Sequence, residues 1–410
     1  MTLDLKKEKI MVSAYACEPG YGTEIGVGWH WVLEMSKYFD VWVLTRESNK
    51  ETIESWLSKN PLDREIHFVY YDLPKKARFW KKGLRGVRTY YVLWQRFSNK
   101  LIKKTMEDND ISVYHLLTYG NSLWPVSKYG MKQTFIWGPT GGVDTIPSEY
   151  SKHYNAKARL VEFVRRSTVR LLKINVGFKK RCKNANLILC KSNNMFNAVP
   201  DQYRNKATLF TDVAVEAKNV SVSSSESSDK TNYVAVGRLD AWRGFDVLIE
   251  AFAKSVKKNN NIHLKIVGDG NDRNRLEKLI DQHEMNNHIE LTGLISMSEY
   301  EQEMQNADVV INPSLKEGAV TVAFDSIAMK KPIICIDTGG YTRYFNDDRG
   351  IVLELKSRDE TIEDLSEAIL KMTDKSLRDK MSQSINEVGD NFNWTHKGEE
   401  IRDIILKTIK

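Results

Sequence analysis

Short apolar runs rich in Val and Ile alternate with segments of helical spacing along most of the chain, and this alternation sets the fold class. Ile10–Tyr15 reads as a strand, Trp29–Tyr38 as a helix and Val41–Thr45 as a second strand. Strands are also expected at Ile66–Tyr70, Ile111–Leu117, Thr134–Trp137 and Asn186–Cys190. After a Ser-rich stretch the pattern restarts with strands at Tyr233–Val236, His263–Val267, Ile289–Leu291, Asp308–Asn312 and Pro332–Ile336. Between them lie helices at Phe245–Lys257, Asn274–His283, Met297–Met304 and Val320–Met329. Strands that are apolar on both faces and alternate with helices of 10–15 residues give parallel sheets covered on both sides. Two such runs predict an α/β protein of two Rossmann-like, doubly wound domains facing across a cleft.

The 410 residues exceed one ordinary core. The expected division is a first domain over 1–215, a linker over 216–228, a second domain over 229–390 and a closing helix over 391–410 that crosses back to the first domain. Asp359–Glu387 reads as helical, as does Thr395–Ile409. Four scattered cysteines show no C-x-x-C and no metal spacing, which predicts a reducing compartment, no disulfide framework and no metal centre. The N-terminal apolar run is too short for a signal peptide, and no run reaches about 18 apolar residues. A cytoplasmic protein, at most peripheral on the inner face of the plasma membrane, is expected.

The net charge of +7 is unevenly placed. Lys75–Lys104 holds eleven Lys/Arg and no acid, and Lys152–Lys183 holds eleven against Glu162 alone. In the first window Phe79, Trp80, Tyr90, Tyr91, Trp94 and Phe97 alternate with the cations. In the second, helical spacing puts Leu160, Phe163, Val164, Leu171 and Ile174 on one face. Basic and aromatic residues mixed in this way suit an anionic membrane surface or a lipid-diphosphate acceptor. Solvated helix faces are the plainer explanation, and no nucleic-acid-binding motif accompanies the charge.

The chemistry concentrates in the second half. Glu317 precedes Gly318-Ala319 at the start of a helix, where open backbone N–H groups favour an anion. Asp325 follows two turns later on a similar face. Arg238 and Arg243 lie on the turn after the first strand of the second half, where two arginines can clamp a diphosphate through charge-assisted bonds, although arginines on a loop are ordinarily solvated surface. In the first half, Cys17–Gly28 is a Gly-rich loop after a strand, without the G-x-G-x-x-G dinucleotide fingerprint. Packing of helix on sheet explains that loop as well as ligand binding does.

The motifs run in a fixed order: Gly237-Arg238-Leu239 with Arg243-Gly244, then Val267-Gly268-Asp269-Gly270, then Leu291-Thr292-Gly293. Glu317 and Asp325 follow as E-x7-D, with Lys331-Pro332 after the helix. In this order and spacing the second half resembles the C-terminal domain of family 4 glycosyltransferases, which have the GT-B fold. ACEPGYGTEIGVGW and WGPTGGVD resemble a subgroup carrying a Gly-rich N-terminal loop.

The resemblance implies a retaining, metal-independent hexosyl-type transferase without a cofactor. The donor would be a UDP- or GDP-sugar, and the acceptor a glycan or a polyprenyl-diphosphate-linked glycan of a bacterial surface polysaccharide. It implies that Arg238 and Arg243 bind the diphosphate, Arg243 standing where the family usually has lysine. Glu317 would meet the sugar hydroxyls, and the backbone of Gly318, Ala319 and Val320 the phosphate and sugar. Asp325 would face the ribose, one methylene shorter than the usual glutamate. Gly237, Gly268, Gly293 and Leu294 complete the donor side, with Gly22 and Thr23 approaching from the first domain. His115 falls near a strand end where relatives often place a histidine against the donor sugar, a structural role being equally open, and Glu24 and Asp144 are expected on the acceptor side. Two alternatives remain open: an epimerase or hydrolase of the same fold, and a non-catalytic subunit that binds a nucleotide sugar.

Overall fold

The structure, a computed structural model, describes residues 7–20, 23–81, 86–215, 230–316 and 320–409. These form two compact units, each built on one all-parallel sheet. The first sheet contains β1 (Lys9–Ser13), β2 (Asp40–Thr45), β3 (His67–Tyr70), β4 (Val113–Leu116), β5 (Thr134–Thr140), β6 (Leu187–Cys190) and β7 (Ala207–Leu209) in the order β3-β2-β1-β4-β5-β6-β7. The second contains β8 (Thr231–Val236), β9 (Ile262–Val267), β10 (Ile289–Gly293), β11 (Val309–Asn312), β12 (Ile333–Ile336) and β13 (Gly350–Leu353) in the order β10-β9-β8-β11-β12-β13. Each expected strand is present, and the apolar runs are buried as a parallel sheet requires. β7 and β13 are short outer strands that the sequence pattern does not announce.

Both sheets reverse direction once, between β1 and β4 and between β8 and β11. Outside the carboxyl ends of strands at such a reversal lies the ligand crevice of open α/β sheets.

The first unit comprises Met1–Val143, Arg170–Asp212 and Trp394–Lys410; the second comprises Asp144–Val169 and Val213–Asn393. The closing helix, Trp394–Ile409, lies on the helix Thr23–Tyr38, with the Trp394 and His30 rings stacked at 5.0 Å. The expected boundary at 215 differs from this division, because Asp144–Val169 packs with the second unit. Its Ile146, Tyr150 and Tyr154 enter the core formed by Leu239, Phe245, Leu264 and Ile311. The Tyr150 hydroxyl donates to Lys356 O at 2.9 Å and accepts from the Thr361 hydroxyl at 2.8 Å. Sequence order assigns this strap to the first half because the next strand, β6, belongs there; its burial assigns it to the second. The expected linker, 216–228, lies outside the described residues.

Two further expectations change locally. The helix after β1 begins at Thr23, not Trp29, so the second half of the Gly-rich stretch is helical. A side chain at Gly28 would come within 2.0 Å of Ala16 O, so this glycine serves close packing. The Asp359–Glu387 segment is two helices, Arg358–Lys371 and Lys375–Val388, the second capped by Asp374 accepting from Ser376 N and Leu377 N. Among the described residues no helix is long and apolar enough to cross a membrane.

Candidate functional site

In the second unit the loops after β8 and β11 flank the sheet reversal, and their glycines let them join. Gly244 has φ +71°, and a Cβ there would lie 2.1 Å from Pro313 O. Leu315 N donates to Trp242 O at 3.2 Å. On the other side Gly268, at φ +141°, passes so close to Gly237 that a Cβ would meet its carbonyl at 2.0 Å. Gly237 N donates to Val267 O and Leu239 N to Asp269 O, each at 3.0 Å. The V-G-D-G and G-R-L motifs are therefore one backbone assembly, with Gly293 O accepting from Gly268 N at its edge.

This assembly carries the two arginines. Arg238 projects with two-thirds of its side chain exposed, its Nε bonded to Asp240 Oδ2 at 2.6 Å. Arg243 is half-buried: its guanidinium lies 4.3 Å from the Trp242 ring centroid, and Nη1 is 3.4 Å from Ser314 Oγ. The loop after β12 secures the same turn. Thr338 Oγ1 donates to Ser314 O at 2.9 Å, and Asn312 Nδ2 donates to the Tyr341 hydroxyl at 2.7 Å. Val320 is buried and leads into the helix Thr321–Ala328. On that helix Asp325 Oδ2 accepts from the Tyr300 hydroxyl at 2.6 Å. Burial and the Asp325 charge push the Tyr300 phenol up, so it remains a donor.

Gly22, Glu317, Gly318 and Ala319 lie outside the described residues, as does the Thr23 side chain. Leu294 is exposed beyond β10. The structure thus brings Arg238, Arg243, Gly237 and Gly268 together at the reversal, with Val320 and Asp325 on the segment that follows β11. No group of three or more His, Cys, Asp or Glu suited to a metal occurs among the described residues.

The structure bears on three further expectations. His115 is not at an open strand end: it lies within β4, 0% exposed, its Nε2 bonded to Gly138 O at 2.6 Å. Burial lowers its pKa to about 4, so the ring is neutral and donates to that carbonyl. A ring so enclosed packs the first sheet, which favours the structural role that the sequence left open. Asp144, expected on the acceptor side, packs with the second unit, where its charge acts on Lys316. Of the six aromatics in the first basic window, Tyr90, Tyr91 and Trp94 are core residues around Tyr15, not surface anchors.

Glu24 stands at the reversal of the first sheet, where its Oε1 accepts from Tyr119 N at 2.6 Å. Burial raises its pKa, partly offset by Lys191, which pairs with Asp212. Sequence reasoning missed Trp242, Lys316, Tyr300 and Glu162. Trp242 lies inside the arginine motif and was open to notice; the others have partners far away in the chain.

Residues 217–388 match the family model for glycosyl transferases group 1. An uncharacterised glycosyltransferase of Methanocaldococcus jannaschii is 24% identical over 327 residues, spanning 76% of this chain and 88% of that one. The chain is a glycosyltransferase. Among solved structures, the lipopolysaccharide outer core galactosyltransferase WaaB is 14% identical and aligns over 97% of this transferase and 99% of WaaB, with a TM-score of 0.65. Anabaena HepE, solved with UDP and glucose, is 13% identical and aligns over 98% and 100% at a TM-score of 0.57. These likenesses identify the fold as two parallel-sheet α/β domains of the GT-B type.

Proposed function

We propose that the enzyme moves a sugar from a nucleotide diphosphate to a glycan or lipid-linked acceptor, with retention of configuration. One observation carries this: two arginines held by a glycine-built backbone assembly at the reversal of the second sheet, next in the fold to the segment that enters Glu317. That is where an open α/β sheet binds a ligand, and paired guanidinium groups suit a diphosphate. HepE, of the same fold, is described with UDP and glucose, which favours a nucleotide sugar as donor.

In this reading the bond between the anomeric carbon and the diphosphate oxygen breaks, and Arg238 and Arg243 offset the charge that develops on that oxygen. The acceptor hydroxyl bonds the carbon on the same face and gives its proton to the departing diphosphate. Glu317 orients the sugar, and Asp325, held by Tyr300, meets the ribose. The two cations and the helix start supply the leaving-group stabilisation that a metal provides elsewhere. The test is a titration of the purified protein with UDP, GDP and their sugars, followed by donor hydrolysis and by transfer to candidate acceptors. Binding of neither nucleotide defeats the proposal; binding with epimerised product in place of transfer redirects it.

The lipid-linked acceptor and a bacterial surface polysaccharide role draw support from the helix Ala156–Arg170. Successive residues turn by about 100°, so Phe163, Leu160, Val164 and Val161 share one side and Glu162 points the other way. The four apolar residues are 53–63% exposed, and Glu162 is buried. Lys157, Arg159 and Arg170 are exposed on the same helix. An apolar side flanked by cations fits an anionic lipid surface on the cytoplasmic side. Equal binding to neutral and anionic vesicles would count against this assignment.

A further inference from the structure

Lys316 is the residue before Glu317, and a lysine on such a turn is ordinarily solvated. Here it is 7% exposed, and its Nζ donates to Glu162 Oε1, contributed by the strap from the first half of the chain. Glu162 is 3% exposed, and its Oε2 has no hydrogen-bond partner among the described residues. The Lys316 ammonium lies 5.1 Å from the Trp242 ring centroid, and the same ring carries the Arg243 guanidinium at 4.3 Å. Arg243 in turn approaches Ser314, two residues before Lys316. Three separate stretches of chain therefore meet in one charged cluster.

Stability is a poor reason for such a cluster. Taking two charges out of water costs more than their attraction commonly returns, and apolar replacements of similar volume are often neutral or better. The orphaned Glu162 oxygen adds to the cost. Burial draws the Lys316 ammonium down to about 8; Arg165 acts in the same direction, while Glu162 and Asp144 oppose it. What the cluster does provide is position, since it ties the entry to Glu317 to the side chain that carries Arg243.

We infer that Glu162 and Lys316 are positioning residues of the donor site, bracing the segment that enters Glu317 and, through Trp242, the Arg243 guanidinium. The inference rests on the donor reading above. Neither residue touches the donor in this role; each acts through the group it holds. Glu162 lies outside the 217–388 stretch matched by the family model, so the strap supplies a part that this stretch lacks.

The test compares wild type with Arg238→Ala, Glu162→Gln, Lys316→Met and the Glu162→Gln/Lys316→Met double variant. Each is titrated with UDP and GDP and assayed for hydrolysis of UDP-glucose and GDP-mannose. Glu162→Gln and Lys316→Met should each weaken the better-bound nucleotide on the order of tenfold. The double variant should be no worse than the poorer single one, because the pair acts as a unit. Glu162→Asp, which keeps the charge, should restore part of the loss. The wild-type affinity should fall as pH rises through about 8, where Lys316 gives up its proton, and Lys316→Met should show no such fall. A merely structural role would lower the melting temperature of the single variants and leave the pH dependence at its wild-type form. If Arg238→Ala loses the nucleotide while the brace variants bind as wild type does, the inference falls and the donor reading stands. If Arg238→Ala binds normally, both fall.

Discussion

The two sheets make the same topological reversal, and the chain uses the two reversals differently. At the first, the polar groups turn inward. Ala16 N bonds Thr118 Oγ1, Glu24 takes Tyr119 N, Lys191 pairs with Asp212, and the nearby His115 is sealed against Gly138 O. At the second, Arg238 stands outward with Asp240 steering it, and Arg243 is propped on an indole. The equivalent reversal thus encloses its described polar groups in one unit and, in the other, presents Arg238 largely exposed beside Asp240 and Arg243 against Trp242. Topology locates a site, and the fate of its polar groups decides what the site can do.

The largest test of this contrast is Arg238→Ala. If the second reversal carries the diphosphate, transfer should fall by about 10²- to 10³-fold, as when a preorganised donor to developing charge is removed. Folding should be untouched, because the side chain is mostly exposed. A loss of less than about fivefold would move the leaving-group site elsewhere.

The inward character of the first reversal gives the next test, through pH. His115 has its pKa lowered to about 4 by burial, against an ordinary value of 6.5. The unfolded chain therefore takes up a proton below about pH 6.5 that the folded chain refuses until about pH 4. Stability falls across that window as pH drops, by at most about 3 kcal/mol from this one group. His115→Gln should start from lower stability, because an enclosed ring is lost, but should lose less between pH 6.5 and 4. Parallel curves for the two proteins in denaturant titrations would mean that His115 is not the neutral core residue described above.

How much of this was legible follows from where the information sits. Strand positions were readable because parallel strands are apolar on both faces, as Ile333–Ile336 and Leu187–Cys190 show. The three residues of β7 are too few to make a pattern, and the apolar run of β13 is equally short. The arginine motif was readable through the resemblance of its order and spacing to a known family, and close backbone contact at Gly244 and Gly268 is the physical reason for those glycines. His115 was left undecided because a histidine near a strand end looks the same in sequence whether it faces a ligand or a carbonyl. The strap escaped for a related reason: Ile146, Tyr150 and Tyr154 announce burial without naming the sheet they join. Glu162 looked like the one acid in a basic helix; its pairing with Lys316 accounts for the helix being turned with its apolar side outward.

That outward side supplies a third test, in which the two basic windows are contrasted. Phe163→Glu with Val164→Glu should reduce partition onto anionic vesicles by about tenfold, since it removes two exposed apolar side chains and adds two repelled charges. Exposed residues of the first window, such as Phe97, should matter less singly, because Tyr90, Tyr91 and Trp94 are already buried in the core. An equal effect from Phe97→Glu would show that the first window also offers a binding side.

The smallest expected effect concerns Asp325, where a shorter carboxylate stands in the glutamate position of the resembled family. A methylene lost should lengthen the reach to a ribose hydroxyl, yet Asp325 is held by the Tyr300 hydroxyl at 2.6 Å from the helix Met297–Asn306. A phenol kept protonated by burial donates steadily to a carboxylate, and such a bond to a charged group contributes about 1.5–3 kcal/mol where both partners are desolvated. Only the share that fixes the carboxylate's direction reaches the nucleotide. Tyr300→Phe should therefore weaken the better-bound nucleotide about fivefold, the equivalent of about 1 kcal/mol. Asp325→Glu in the Tyr300→Phe background should recover that loss, because the longer side chain reaches without the phenol's help. Should Tyr300→Phe instead weaken a 2′,3′-dideoxynucleoside diphosphate as much as the ribonucleotide, the phenol is packing the helix pair, and the ribose contact belongs to another residue.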